Sequence, residues 1–342
     1  MKPVGLDIGT NYTKTTADGK EVLMFPSVVV FGEEKDWSLK KAHKDVYIGQ
    51  EALDIVQNIE NVEVLRPLHE GRLMHKSYLE LARYALSSLS VTEPVIGTGL
   101  PVKSSRQERE ELTRSLETEL KAKVILFPEP VGTLAHMGVE TGVCIDIGFG
   151  TTDLVVISHM EYLKGDTMLM GVDRLYENFE VTIRNKAGIS LTPEEMTKLL
   201  TIEGYEIGRI RGGKRISVKH EAIIDDYKAL MISWVERISN RAKMLMEGLS
   251  TSIVDKIVLT GGGSALPGVY DEFQQRFEDV GKIIMPEDPI RANAMGYHIL
   301  AKIFSEEAES VETEGKAAES VKSEKAEKSE KPDKEGKRKG KK

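Results

Sequence analysis

Four short segments place ligand-binding or catalytic residue types at the ends of apolar runs. Val4-Gly5-Leu6-Asp7-Ile8-Gly9-Thr10-Asn11-Tyr12-Thr13-Lys14 stands near the start, and Val143-Cys144-Ile145-Asp146-Ile147-Gly148-Phe149-Gly150-Thr151-Thr152-Asp153 repeats its plan mid-chain. Each has an apolar run, then Asp-Ile-Gly, then small or hydroxyl residues, then a second β-prone run. That pattern predicts two strands joined by a tight glycine-containing turn. Such a turn presents successive backbone N–H groups to an anion, and two of them face to face can grip a polyphosphate from both sides. Asp7 and Asp146 fall at their strand ends, where a carboxylate can hold a hydrated Mg²⁺ ion, which favours one or two carboxylates plus waters and phosphate oxygens. One Asp-x-Gly turn is common in plain loops. Two of them, with Thr260-Gly261-Gly262-Gly263-Ser264 after a third apolar run, are not. The fourth segment, Pro128-Glu129-Pro130, lies 17 positions before Asp146 (129 to 146).

The elements that must position these residues are readable around them. Helical periodicity is expected over Ser77 to Leu89, Ser105 to Leu120 and Val131 to Gly138, and strands over Val95 to Leu100 and Val124 to Phe127. Thr192-Pro193-Glu194-Glu195 opens a helix, with threonine as cap, proline in the first turn and acids at the positive end. Ile223 to Leu249 reads as a long helix with Trp234 and Ile238 on its apolar stripe, and Ile257 to Leu259 as a strand. Strands alternating with helices give an α/β fold. The 342 residues suffice for two compact domains, and the repeat places their starts near Met1 and Val143. A net charge of −8 argues against a nucleic-acid-binding core. The single cysteine, Cys144, lies in an apolar run and reads as a buried strand residue; with no second cysteine, a reducing compartment fits. The absence of a signal-like or membrane-spanning run makes the cytoplasm the expected location.

These motifs, in this order, resemble those of the actin-like ATPases. Asp7 to Lys14 is similar to that superfamily's first phosphate motif, Asp146 to Asp153 to its second, and Ile257 to Val269 to its adenosine motif. Pro128-Glu129-Pro130 is similar to the segment carrying the hydrolytic residue. The resemblance covers about residues 1–304 and implies duplicated actin-like (ribonuclease-H-like) α/β domains with a nucleotide cleft between them. The implied divisions are 1–142, with a small insertion at about 31–63, and 143–304, with an insertion at about 171–240. It also implies Mg-ATP as the ligand. Gly9, Thr10, Asn11 and Tyr12 would face the β-phosphate, with Lys14 reaching the phosphates and Asp7 and Asp146 holding Mg²⁺ through waters. Gly148, Phe149, Gly150 and Thr151 would wrap the other side, while Gly261, Gly262 and Gly263 would pass the sugar and base. Glu129 would orient the attacking water, and Glu194 and Lys198 would lie on the purine-facing helix. Plainer readings stay open: Glu129 as a helix cap, Lys14 as a solvated strand charge, and His136 as a packed or surface histidine.

Arg66-Pro67-Leu68-His69-Glu70-Gly71 is similar to a segment of MreB-type and magnetosome-type filament proteins, and Phe127-Pro128-Glu129 to ParM-type proteins. The branch expected is a prokaryotic actin-like ATPase that polymerises with itself. The alternative is a chaperone-like or reactivase-like ATPase switch acting on a partner. From about Ser305 to Lys342 the chain is Glu, Lys, Ser and Ala, too polar to offset its ordering entropy, so a disordered tail is expected. Its end, Gly336 to Lys342, is basic. It reads either as a solubilising segment or as a tether to acidic lipid, nucleic acid or another acidic partner.

Overall fold

The computed structural model describes residues 2–31, 46–58, 68–69, 72–73 and 77–306. Two five-stranded sheets dominate it, and both have the same strand order. In the first, Leu23–Pro26, Tyr12–Thr16, Lys2–Ile8, Pro94–Leu100 and Lys123–Pro128 lie side by side. In the second the sequence is Glu161–Met168, Thr152–Ser158, Gly142–Ile147, Lys256–Thr260 and Lys282–Ile284. Three antiparallel strands come first in the chain; two parallel strands are then added beside the first through helical crossovers. The repeat seen in the sequence is thus a repeat of topology.

Residue alternation explains how the second sheet is covered on both faces. Val143, Ile145 and Ile147 join a core with Leu154, Val156, Ile257 and Leu259, under helices Val172–Ala187 and Ile224–Met246. Cys144, Val155, Ile157 and Val258 point the other way, onto Leu134, Tyr297 and Leu300. A strand buried on both faces must be apolar throughout, and the unbroken run before Asp146 meets that need. Cys144 is fully buried, and burial, with Asp146 nearby, pushes its thiol well above the usual range. Trp234 and Ile238 are buried on the long helix as expected.

The helix spanning 292–306 ties the two sheets together. Tyr297 packs in the core behind the second sheet, while the same helix backbone lies against the first. A Cβ on Gly5 would stand 1.9 Å from the Ala294 carbonyl oxygen, so glycine is what allows strand Lys2–Ile8 to meet this helix. The helix continues through Ser305, whose hydroxyl bonds the Ala301 carbonyl at 2.6 Å, to Glu306, the last described residue. Ser305 and Glu306, expected to open the polar tail, extend a helix anchored by Tyr297 and Leu300. Residues 307–342, including the basic end, lie outside the described residues. So do most of the segments 31–63 and 66–71; within the latter, Leu68–His69 pairs antiparallel with Arg72–Leu73.

Helix starts follow local chemistry. Ser105 and Thr192 form reciprocal capping boxes with Glu108 and Glu195, and Pro193 occupies the first turn of helix Pro193–Thr201. The hairpin Glu206–Arg211 with Lys214–Lys219 and the helix Val269–Phe277 complete the second half.

Candidate functional site

The two Asp-Ile-Gly turns face each other across a cleft of about 620 Å³. They close in the same way: the Gly9 N–H donates to the Tyr12 carbonyl at 3.1 Å, and the Gly148 N–H to that of Thr151 at 2.9 Å. Their tips approach closely, since a Cβ on Gly150 would lie 3.3 Å from Thr10 Oγ1. Asp7, Gly9, Thr10, Asn11, Tyr12, Lys14, Glu129, Asp146, Gly148, Phe149, Gly150, Thr151, Glu194, Lys198, Gly261 and Gly262 all line the cleft. His136 does not; it is half-buried, and burial, opposed by Asp288, lowers its pKa.

Gly263 is the exception among the residues singled out for the ligand. Its N–H donates to the Ile147 carbonyl at 2.8 Å, and a Cβ there would lie 2.3 Å from Ile147 Cγ2. The third glycine therefore packs the turn onto its neighbouring strand and does not line the cleft. Gly261 does, at a φ of +83° that disfavours other residues, and a Cβ would collide with Asp146 Oδ1 at 2.3 Å.

Charge in the cleft is unbalanced. Lys14 bonds Asp7 at 2.9 Å; burial would lower its pKa, but the charge and hydrogen bond of Asp7, with Asp146 and Glu129, raise it overall. That removes the reading of Lys14 as a solvated strand charge. Burial raises Asp146 to about 7; the Asn293 hydrogen bond opposes this, Asp7 and Asp153 add to it, and Lys14 counters. Glu129 is driven well above the carboxylate range by burial and then by Asp153, Asp7 and Asp146. Glu129 occupies the cap position of helix Pro130–His136, yet its side chain makes no capping bond. Instead its backbone is fixed: its N–H donates to the Leu100 carbonyl at 3.0 Å, and its carbonyl accepts from Tyr297 Oη at 2.9 Å.

Asn293 is the main residue that the motifs did not reveal. Its Nδ2 donates to Asp146 at 2.6 Å, and its Oδ1 accepts from the Thr133 N–H at 2.9 Å and hydroxyl at 2.8 Å. Gln50, Leu53, Tyr176 and Thr197 were also missed. Tyr176 Oη lies 2.7 Å from Thr197 Oγ1, joining helix Val172–Ala187 to Pro193–Thr201 beside Glu194 and Lys198. Each is a single residue without a local pattern; only the proline-capped helix start signalled part of this wall.

The MreB/Mbl protein family matches residues 1–309 of the chain. The chain belongs to this family of actin-like proteins. It is 24% identical over 329 residues to the cell shape-determining protein Mbl of Bacillus cereus, covering 87% of this chain and 95% of that one. It is 22% identical to the cell shape-determining protein MreB of Escherichia coli K12, covering 86% and 91%. Among solved structures, MreB5 of Spiroplasma citri bound to AMPPNP superposes with a TM-score of 0.73 at 17% identity, over 90% of this chain and 98% of that one. The MamK double helical filament also gives 0.73 at 17% identity, over 87% and 98%. The actin fold and its duplicated α/β halves are thereby established.

Among the described residues, no three or more His, Cys, Asp or Glu side chains converge as a metal cage. Two buried aspartates do face the cleft, and burial, with the nearby charge of Asp7 and Asp153, raises the Asp146 carboxyl. That donor set fits a magnesium ion that arrives with phosphates and keeps several waters, and does not fit a metal bound by protein alone. Among the described residues, no helix is long and apolar enough to cross a membrane.

Proposed function

We propose that the protein is a cytoskeletal ATPase that binds Mg-ATP between its two halves and assembles into nucleotide-dependent filaments. One observation carries the chemical part: Glu129 is half-buried in the same cleft as the two matched turns, with no side-chain capping bond and its backbone fixed at both N–H and carbonyl. The backbone N–H groups of Thr10, Asn11 and Thr151, with the Thr10 hydroxyl, suit a polyphosphate, and Lys14 adds charge. A magnesium ion bound with the nucleotide would neutralise phosphate charge, held by Asp7 and Asp146. Glu129, held at the cleft wall by its backbone, is suited to orient a water for attack. Val172, Tyr176, Glu194, Thr197, Lys198, Gly261 and Gly262 would form the wall for base and sugar.

The assembly part rests on kinship and shape. The relatives named above are cell shape-determining proteins, one neighbour is a filament, and others hold AMPPNP or ADP. Two halves gripping one ligand, 1–142 and 143–304 in our division, can change their relative orientation with the nucleotide. Head-to-tail contacts between identical copies then give an open filament when the rotation does not close a ring.

Glu129→Ala tests the chemistry. ATP turnover should fall about a hundredfold, the low end of the usual range for a group that handles the proton, while nucleotide affinity stays near wild type. Unchanged turnover would remove Glu129 from the mechanism.

A further inference from the structure

Asp153 stands opposite Asp146 in the second hairpin, so both carboxylates share a face. Asp153 nevertheless does not line the cleft, and it is only 1% exposed. Both of its oxygens are taken by protein donors. Oδ2 accepts from the Thr151 hydroxyl at 2.9 Å. Oδ1 accepts from the Thr167 hydroxyl at 2.6 Å and from the Val102 N–H at 2.7 Å. Thr151 belongs to the second cleft turn and Thr167 to the neighbouring strand. Val102 comes from the other half of the molecule, just beyond strand Pro94–Leu100.

That segment also carries Glu129. Leu100 pairs with Pro128 in the first sheet, and its carbonyl holds the Glu129 N–H at 3.0 Å. Pro101, between Leu100 and Val102, lines the cleft. A second attachment backs the first. The Lys103 N–H donates to Thr167 Oγ1 at 3.0 Å, and the Lys103 ammonium pairs with Asp166, which Arg241 of the long helix also holds.

We propose that Asp153 is a positioning residue for hydrolysis: by gripping the Val102 N–H beside the cleft, it fixes the backbone that carries Glu129. This rests on the ATPase reading above. A carboxylate accepting a backbone N–H forms one of the stronger hydrogen bonds, and its length depends on how the two halves sit. The bond thereby couples the backbone from Leu100 to Val102, and with it Glu129, to the second hairpin. Through Oδ2 the same carboxylate steadies the Thr151 hydroxyl, which ties that alignment to the second turn. Asp153 does not line the cleft and acts through Val102 and Leu100.

The test is steady-state turnover, nucleotide affinity and melting temperature for Asp153→Ala, Asp153→Asn and Val102→Pro in the full chain. Proline removes the N–H that Asp153 grips. Asp153→Ala and Val102→Pro should each lower kcat by about tenfold to a hundredfold, the scale of a small misplacement of a reacting group. For Val102→Pro, affinity should stay within about twofold, because that substitution removes no residue lining the cleft. Asp153→Asn keeps an acceptor for Val102 and should restore most of kcat. The Asp153→Ala, Val102→Pro double variant should lose no more than either single one, since both break the same bond. Unchanged kcat in both single variants overturns the proposal, and so does a loss confined to Asp153→Ala. If Asp153→Ala fails to fold, Val102→Pro and Asp153→Asn decide the matter on the same readouts. A wild-type protein that never hydrolyses ATP overturns the functional reading itself. Wild-type turnover with unaffected variants overturns this inference alone.

Discussion

The two hairpins that meet at the cleft share a register and differ in charge. In the first, Asp7 stands opposite Lys14; in the second, Asp146 stands opposite Asp153. Lys14 lies in the cleft and neutralises Asp7, whereas Asp153 is withdrawn from it and occupied by Thr151, Thr167 and Val102. One backbone device thus serves two purposes. The first hairpin places a lysine ammonium in the cleft. The second leaves its aspartate without a neutralising partner and uses the facing carboxylate to hold the other half of the molecule. Duplication supplied the frame, and the residue across from each aspartate decides what the frame does.

This contrast predicts unequal effects of equivalent substitutions. Asp146→Ala and Asp7→Ala should both weaken Mg-ATP binding far more than metal-free ATP binding, the larger effect being at Asp146, which has no lysine partner. A charged hydrogen-bonded group is worth about 1.5–3 kcal/mol, so the metal-dependent part should be about tenfold or more. Lys14→Ala should instead weaken ATP with and without Mg²⁺ alike. Calorimetry in both conditions separates these patterns. An equal loss for all three variants in both conditions would erase the distinction between the hairpins.

A smaller effect follows from the unneutralised aspartate. With Asp146 at about 7 in the folded chain and about 3.9 unfolded, the folded state binds the extra proton between those values. Its contribution to stability is therefore full below about pH 4 and is lost as pH rises towards 7, by at most ~4 kcal/mol. The nucleotide-free protein should melt at a lower temperature at pH 7.5 than at pH 5.5. Asp146→Asn, which mimics the neutral acid, should flatten that slope. A slope unchanged in the variant would show that another group carries it.

How much of this was visible in the sequence depends on how local the signal is. Both hairpins, Glu129 and the capped helix at Thr192 were readable because the residues that define them are contiguous. Asn293 was not: it matters because a helix far along the chain crosses behind Asp146, and nothing near it marks that meeting. Tyr176 and Thr197 are alike in this, since each acquires its place only from the other. The packing of Gly263 on Ile147 was hidden for a related reason. A run of three glycines looks uniform, yet only the fold decides which faces the ligand and which faces Ile147. The opposite roles of Lys14 and Asp153 were likewise hidden, because the donor to Asp153 comes from Val102, 51 positions away.

The smallest expected effect is that of the tail. Deleting residues 307–342 should leave turnover and melting temperature unchanged, since the segment is nearly devoid of large apolar residues. Any change in bundling or attachment should fade with added salt, because exposed charges are screened beyond about 10 Å at 0.1 M. A large drop in melting temperature would show that the tail packs against the core.

The central claim is that nucleotide held between the two hairpins controls assembly. Sedimentation of the purified protein over a concentration series, with ATP, a non-hydrolysable analogue or ADP in the presence of Mg²⁺, measures this directly. The account predicts a threshold concentration for pelleting filaments that is lower with ATP or the analogue than with ADP. A protein that hydrolyses ATP yet stays a monodisperse monomer under every one of these conditions would contradict it.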